Sequence, residues 1–149
     1  MNVGGLQNRA GELMKRVEEL LLQVKALRRE QALAKYKFED TEQRMGDLQA
    51  FIYTNLSQDP KIEWKNPNPV LLADGVTPMP EFEAQYRTML MNYQIQNNEA
   101  FQKMLKERNE AKETYYESEQ KVISVMEELG VSKAEMALIA GLLRVADAE

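Results

Sequence analysis

The stretch LQNRAGELMKRVEELLLQVKALRREQALAKYKFEDTEQRMGDLQAFI, residues 6–52, carries one pattern from end to end. Leu6, Leu13, Leu20, Leu27, Ala34, Thr41 and Leu48 fall seven residues apart, and Ala10, Val17, Val24, Gln31, Phe38, Met45 and Ile52 follow each of them by four. A three-four spacing held over seven heptads predicts one long helix, about 6–55, with an apolar seam that faces a second helix. At 1.5 Å per residue, about 50 residues would make a rod of roughly 75 Å.

The partner helix lies downstream. All five prolines, at 60, 67, 69, 78 and 80, fall in one interval, which predicts a connection over about 56–77. Thr77 reads as an N-cap with Pro78 at the first helical position and Glu81 near the positive end of the dipole, opening a helix over about 78–129. Its seam is poorer: Asn97, Arg108 and Ser118 interrupt it, and the register slips near Ala100. Gly130 reads as a left-handed cap with Val131 as its apolar contact, and Ser132 with Glu135 as a capping box that opens a third helix over about 132–146.

Two helices of similar length with a short connection fold back on each other. The expected fold is therefore all-α: a long antiparallel coiled-coil hairpin with a proline-rich tip loop and a short C-terminal helix packed at its base, one domain over 1–149. If Asn55 and Glu81 flank the turn, the numbers of facing residues add to roughly 136. Thr41 then faces Asn97, Phe38 faces Asn98, and Leu13 faces Val122 or Ile123, so that Thr41 and Asn97 form a polar layer that fixes the register.

Composition narrows the chemistry. The 149 residues include no histidine and no cysteine, which removes the commonest zinc ligands, the cysteine nucleophile, the Ser-His-Asp relay and any disulfide. No cofactor or metal site is expected and no enzyme activity is read; of catalytic routes, a carboxylate pair among the 24 Asp and Glu residues is the one left open. The longest apolar run, Met136 to Leu143, falls short of the ~20 residues of a membrane span. The start MNVGGLQNRAGEL has no basic start or apolar centre of a signal peptide. A soluble cytoplasmic protein without membrane contact is expected, and a net charge of −5 argues against a general coat for nucleic acid.

The connection holds the sole tryptophan, Trp64, and an apolar run, Val70, Leu71 and Leu72. Long loops tend to be functional and aromatic anchors dominate interfaces, so these four residues are the candidate partner-binding tip. Within it KNPNPVLLA, residues 65–73, resembles the turn of the type III secretion needle subunits, where a Pro-x-x-Pro motif precedes a Leu pair. That resemblance implies a self-assembling helical filament; here the prolines are one residue closer and about nine residues are covered.

Charge clusters at mid-chain. Lys25, Arg28, Arg29, Lys35 and Lys37 stand against Glu30 for a balance of +4, and Lys103, Lys106, Arg108 and Lys112 against Glu107 and Glu110 for +2. The expected register brings the two stretches together as a basic band that would take phosphates or an acidic partner, with Tyr36 as a stacking aromatic. The plainer reading is a solvated, paired coiled-coil flank.

Met126 to Leu143, MEELGVSKAEMALIAGLL, resembles the two-helix segment of helix-turn-helix regulators through Glu127, Glu128, Leu129, Gly130, Val131, Ser132, Lys133 and Ala134. The resemblance implies DNA reading, which needs polar residues on the second helix. That helix instead offers Met136, Ala137, Leu138, Ile139, Ala140, Gly141, Leu142 and Leu143. Such a helix must be buried. It is expected to cover Met14 and Leu21 of helix 1, leaving Leu22, Leu33, Leu138, Ile139, Leu142 and Leu143 for packing or self-association.

The sequence is thus read as a non-catalytic scaffold, assembly or adaptor protein acting through its tip and its apolar C-terminal helix. Protein partners and a homo-oligomer are expected, in the manner of a phage or bacterial assembly component, cytoplasmic or in the virion. The alternative is a nucleic-acid-associated accessory protein that uses the basic band.

Overall fold

The computed structural model describes residues 2–148. Three helices follow one another: α1, Val3–Ser57; α2, Pro80–Gln96; and α3, Glu99–Ala148. The fold is the expected all-α hairpin, in which a proline-rich connection precedes the return and α1 packs against the C-terminal helix α3. The positions where helices begin and end differ from expectation, and each difference has a local cause.

α1 starts three residues early because Asn2 caps it: the Gly5 amide donates to Asn2 Oδ1 at 2.9 Å and the Leu6 amide to the Asn2 carbonyl at 3.1 Å. At the other end the Thr54 hydroxyl donates to the Ala50 carbonyl and the Ser57 hydroxyl to the Thr54 carbonyl, which closes the last turns before Pro60. The seam read from the sequence is the buried face: Leu13, Leu20, Val24, Ala34, Thr41 and Ile52 are buried on it, with Leu20 at 0% and Thr41 at 1% exposure.

Thr77 and Pro78 do not open α2. The Thr77 hydroxyl and amide both donate to Asp74, and Pro78 is bridged to Leu71, so Met79 is the N-cap residue and Pro80 begins the helix with Glu81 and Glu83 in its first turn. α2 then stops at Gln96, far before Gly130. Asn97 donates to the Tyr93 carbonyl from its amide and its side chain, and Asn98 becomes the N-cap of α3 by accepting from the Phe101 amide at 3.0 Å.

The expected break at Gly130 is therefore corrected. α3 runs through it, and among the described residues the one positive φ belongs to Gly75. Ser132 is not an N-cap but a buried residue of the seam. The seam explains why: Phe101, Met104, Arg108, Ala111, Tyr115, Ser118, Val122, Val125, Leu129, Ser132, Met136, Ile139, Leu143 and Ala146 alternate three and four apart without a slip, and each is buried or half-buried. A helix stop at Gly130 would sacrifice the last five of these for one cap of about 1 kcal/mol.

The chain forms two compact units, residues 1–37 with 112–149 and residues 38–111. In the first, ion pairs fix an antiparallel register: Arg9 with Glu135, Arg16 with Glu128 and Glu30 with Lys121. Their numbers add to 144, 144 and 151, not 136, and Leu13 lies level with 128–135 instead of Val122 or Ile123. In the second, Arg44 meets Glu107 at 3.9 Å and Arg108 meets Glu42 at 3.5 Å. These two pairs bracket Thr41 and place it beside Arg108, while Asn97 is exposed at the α2–α3 junction. The expected Thr41–Asn97 layer does not form: Thr41 lies level with Arg108, and Asn97 is held at the junction by its bonds to the Tyr93 carbonyl.

No helix among the described residues is long and apolar enough to cross a membrane.

Candidate partner-binding cleft

The second unit has its core at Ile52 of α1, Met91 and Ile95 of α2 and Phe101 of α3, with Met45, Leu48, Leu56 and Trp64 packed against it. A cleft of about 580 Å³ opens beside this core. Gln49, Tyr53 and Ser57, one stripe at four-residue spacing, come from α1; Arg87, Thr88, Met91, Asn92 and Ile95 come from one face of α2; and Trp64 comes from the connection. That volume lies within the range of clefts that take a small ligand or a few side chains, about 300–1,000 Å³.

Trp64 has two roles in this geometry. Its ring packs on the core, and its buried indole Nε1 has no hydrogen-bond acceptor. Glu83 is held nearby in sequence to the α2 start: its Oε2 accepts from the Asn66 amide at 3.4 Å, and its buried Oε1 has no donor. Buried unpaired groups are costly, of order 1–3 kcal/mol each. Arg87 is the one charged residue of the lining, and no carboxylate among the described residues lines the cleft with it. The arrangement suits an apolar group that carries an acceptor or a negative charge.

The connection is more ordered than a structureless loop. Asp59 and Asn66 each accept the amide two residues on, from Lys61 and Asn68, at 2.9 and 3.0 Å. Residues 70–79 form a small hairpin: the Leu72 amide donates to the Thr77 carbonyl and the Met79 amide to the Val70 carbonyl, both at 2.8 Å. Asp74 accepts the amides of Val76 and Thr77 and the Thr77 hydroxyl, and these bonds hold its carboxyl below the ordinary aspartate range. Gly75, at φ +70, closes the turn in a conformation that side chains resist. Val70, Leu71 and Leu72 are exposed on this hairpin.

Of the four expected tip residues, then, Trp64 lines the cleft and the other three are presented separately. Sequence reasoning missed Tyr53, Arg87, Thr88 and Asn92. Their only sequence signal is that they lie off the seam near the proline interval.

The basic residues are distributed over both units. Lys25, Arg28, Arg29, Lys35, Lys37 and Lys112 belong to the first, Lys103, Lys106 and Arg108 to the second. In the first unit Lys121 reaches Glu30 at 3.4 Å, so the stretch beside the basic turn of α1 is the one that carries Glu117 and Glu119, where the expected register had placed 103–112. In the second, Arg108 sits on the seam with its guanidinium on Glu42.

Of the apolar candidates, Leu22, Leu33, Leu138 and Leu142 are exposed, whereas Ile139 is buried and Leu143 half-buried on the α3 seam of their own chain. Among the described residues, no three Asp or Glu side chains are grouped to hold a metal. No protein-family model, no curated protein and no solved structure matches the chain.

Proposed function

We propose that this chain is a non-catalytic scaffold or assembly protein that works through protein–protein contacts, one at the Trp64 cleft with its neighbouring Val70–Leu72 hairpin and one at the apolar C-terminal part of α3. One observation carries the reading. Val70, Leu71 and Leu72 are exposed apolar residues on a hairpin that six hydrogen bonds hold in place. Flexible apolar residues lose entropy when they bind, and a fixed hairpin has already lost it.

A cytoplasmic or virion assembly component, of phage or bacterium, is the setting this reading names; it rests on architecture alone. The experiment is affinity capture by the intact chain and by a variant with Val70→Ser, Leu71→Ser, Leu72→Ser and Arg87→Glu. These positions are exposed, so the variant should keep its helical circular dichroism and lose the captured partner. A partner that binds both forms alike would reject the tip as the contact.

A further inference from the structure

The seam that α3 buries against α1 is not the only seam it carries. On the opposite face, Val131, Ala134, Leu138, Gly141, Val145 and Ala148 also alternate three and four apart. The three larger ones are solvent-exposed, Val131 at 68%, Leu138 at 64% and Val145 at 54%. A helix with two apolar seams has room for two helical neighbours, and among the described residues its own chain supplies one.

We propose that the second neighbour is the same segment of a second copy, packed antiparallel about a twofold axis. Size alternation carries the argument. The large residues all occupy one column and the small ones the other, and an antiparallel pair sets one column against the other. With facing numbers that add to 279, Val131 meets Ala148, Leu138 meets Gly141 and Val145 meets Ala134 of the second copy, large against small in each of six layers. A parallel pair would set Leu against Leu and Gly against Gly, which leaves alternate layers crowded and empty.

The flanking residues are compatible with this register. Glu135 falls beside Leu142 of the second copy and Arg144 beside Ala137, so no like charges meet within 131–148. A twofold interface must be self-complementary, and this face is.

Gly141 is compatible with this pairing, as one of several helical glycines, with Gly11, Gly46 and Gly130, that are equally open within the chain. Glycine weakens a helix interior relative to alanine, yet a Cβ built at 141 would meet nothing within 4 Å in its own chain. Its smallness answers no need of the monomer. In the antiparallel pair it receives Leu138 and lets the backbones approach to about 8 Å, the short end of helix packing.

The inference rests on the reading of the C-terminal segment as a contact surface and is independent of the tip. It is tested by sedimentation and by cross-linking of the full chain. The wild type should be dimeric at tens of micromolar, and Ala134→Leu with Gly141→Leu should weaken the dimer at least tenfold while helical circular dichroism is kept. Should that variant lose helicity, Leu138→Gln, a polar change at an exposed site, replaces it with the same expected loss.

The chain has no cysteine, so single-cysteine variants report geometry directly. A mixture of Leu138→Cys and Gly141→Cys chains should form the mixed disulfide in preference to either homodisulfide. A monomeric wild type, a dimer indifferent to both substitutions, or a dominant 138–138 disulfide would overturn the proposal. The quadruple tip variant should dimerise as the wild type does, which separates failure here from failure of the tip contact.

Discussion

Arg9 holds Glu135 with two hydrogen bonds, Nε to Oε1 at 2.9 Å and Nη2 to Oε2 at 3.1 Å, across 126 positions of sequence. One heptad along, Arg16 donates from Nε and Nη2 to the single oxygen Oε1 of Glu128. The bond from Arg9 is the main reason that the Glu135 carboxyl lies below its ordinary 4.5, with the positive charge of Arg9 adding to it. A folded value below the unfolded one means that ionised Glu135 stabilises the fold above about 4.5 and that this stabilisation is lost as pH falls through the folded value. Arg9→Gln should therefore lower the melting temperature at neutral pH and leave it unchanged in strong acid. Melting curves of both proteins taken down to about pH 2.5 check this; a constant gap at every pH would show that Arg9 contributes by packing alone.

Gly130 lies inside α3, not at its end. Gly130→Ala should thus raise stability by about 0.5–1 kcal/mol, since alanine is the better interior residue and a Cβ there meets nothing. A left-handed cap would give the opposite sign. Chemical denaturation at constant m-value decides between them.

This position also shows where the sequence was legible and where it misled. The heptads of α1 are readable because fourteen seam positions from Leu6 to Ile52 agree with one another. At 129–135 two signals compete: Leu-Gly-Val-Ser with Glu135 spells a cap and a capping box, while Leu129, Ser132, Met136 and Ile139 continue the seam. Burial of several side chains outweighs a local cap. The true break at Asn97-Asn98-Glu99 has its own signal, an Asx N-cap followed by an acidic first turn, but Asn97 also fits the three-four spacing of the seam. The cleft was not legible, because Tyr53, Trp64 and Arg87 meet only once that break and the folded connection have set the position of α2.

Arg108 occupies a seam position with its side chain 27% exposed, its Nε buried without an acceptor, and one Nη on Glu42 at 3.5 Å. Such a group costs desolvation that a single long contact does not repay. Arg108→Leu should stabilise the protein by roughly 1 kcal/mol, because Glu42 faces water and is not stranded. Thermal melts measure it. A loss of stability would indicate that the guanidinium fixes the register beside Thr41, the role expected of a Thr41–Asn97 layer.

Gly75 takes a φ of +70 at the end of the turn that Asp74 organises. Gly75→Val should cost about 1–2 kcal/mol in the second unit, since a β-branched residue resists that region. Asp74→Asn keeps the acceptor for the backbone amides but loses the charge that strengthens them. It should give the milder effect, and amide exchange at Val76 and Thr77 should rise in both variants.

Trp64 packs against the core cluster formed by Ile52, Met91, Ile95 and Phe101, while its Nε1 is buried without an acceptor. The two contributions have opposite signs, so two substitutions separate them. Trp64→Phe keeps most of the apolar contact and removes the unpaired donor; stability should hold within about 0.5 kcal/mol of the wild type or rise. Trp64→Ala removes the contact and opens the core to the cleft, and should cost about 2–3 kcal/mol for a half-buried aromatic. As the sole tryptophan, it also reports on the cleft by its own fluorescence. Loss of stability in Trp64→Phe equal to that in Trp64→Ala would instead assign the whole residue to the core and remove it from the contact surface.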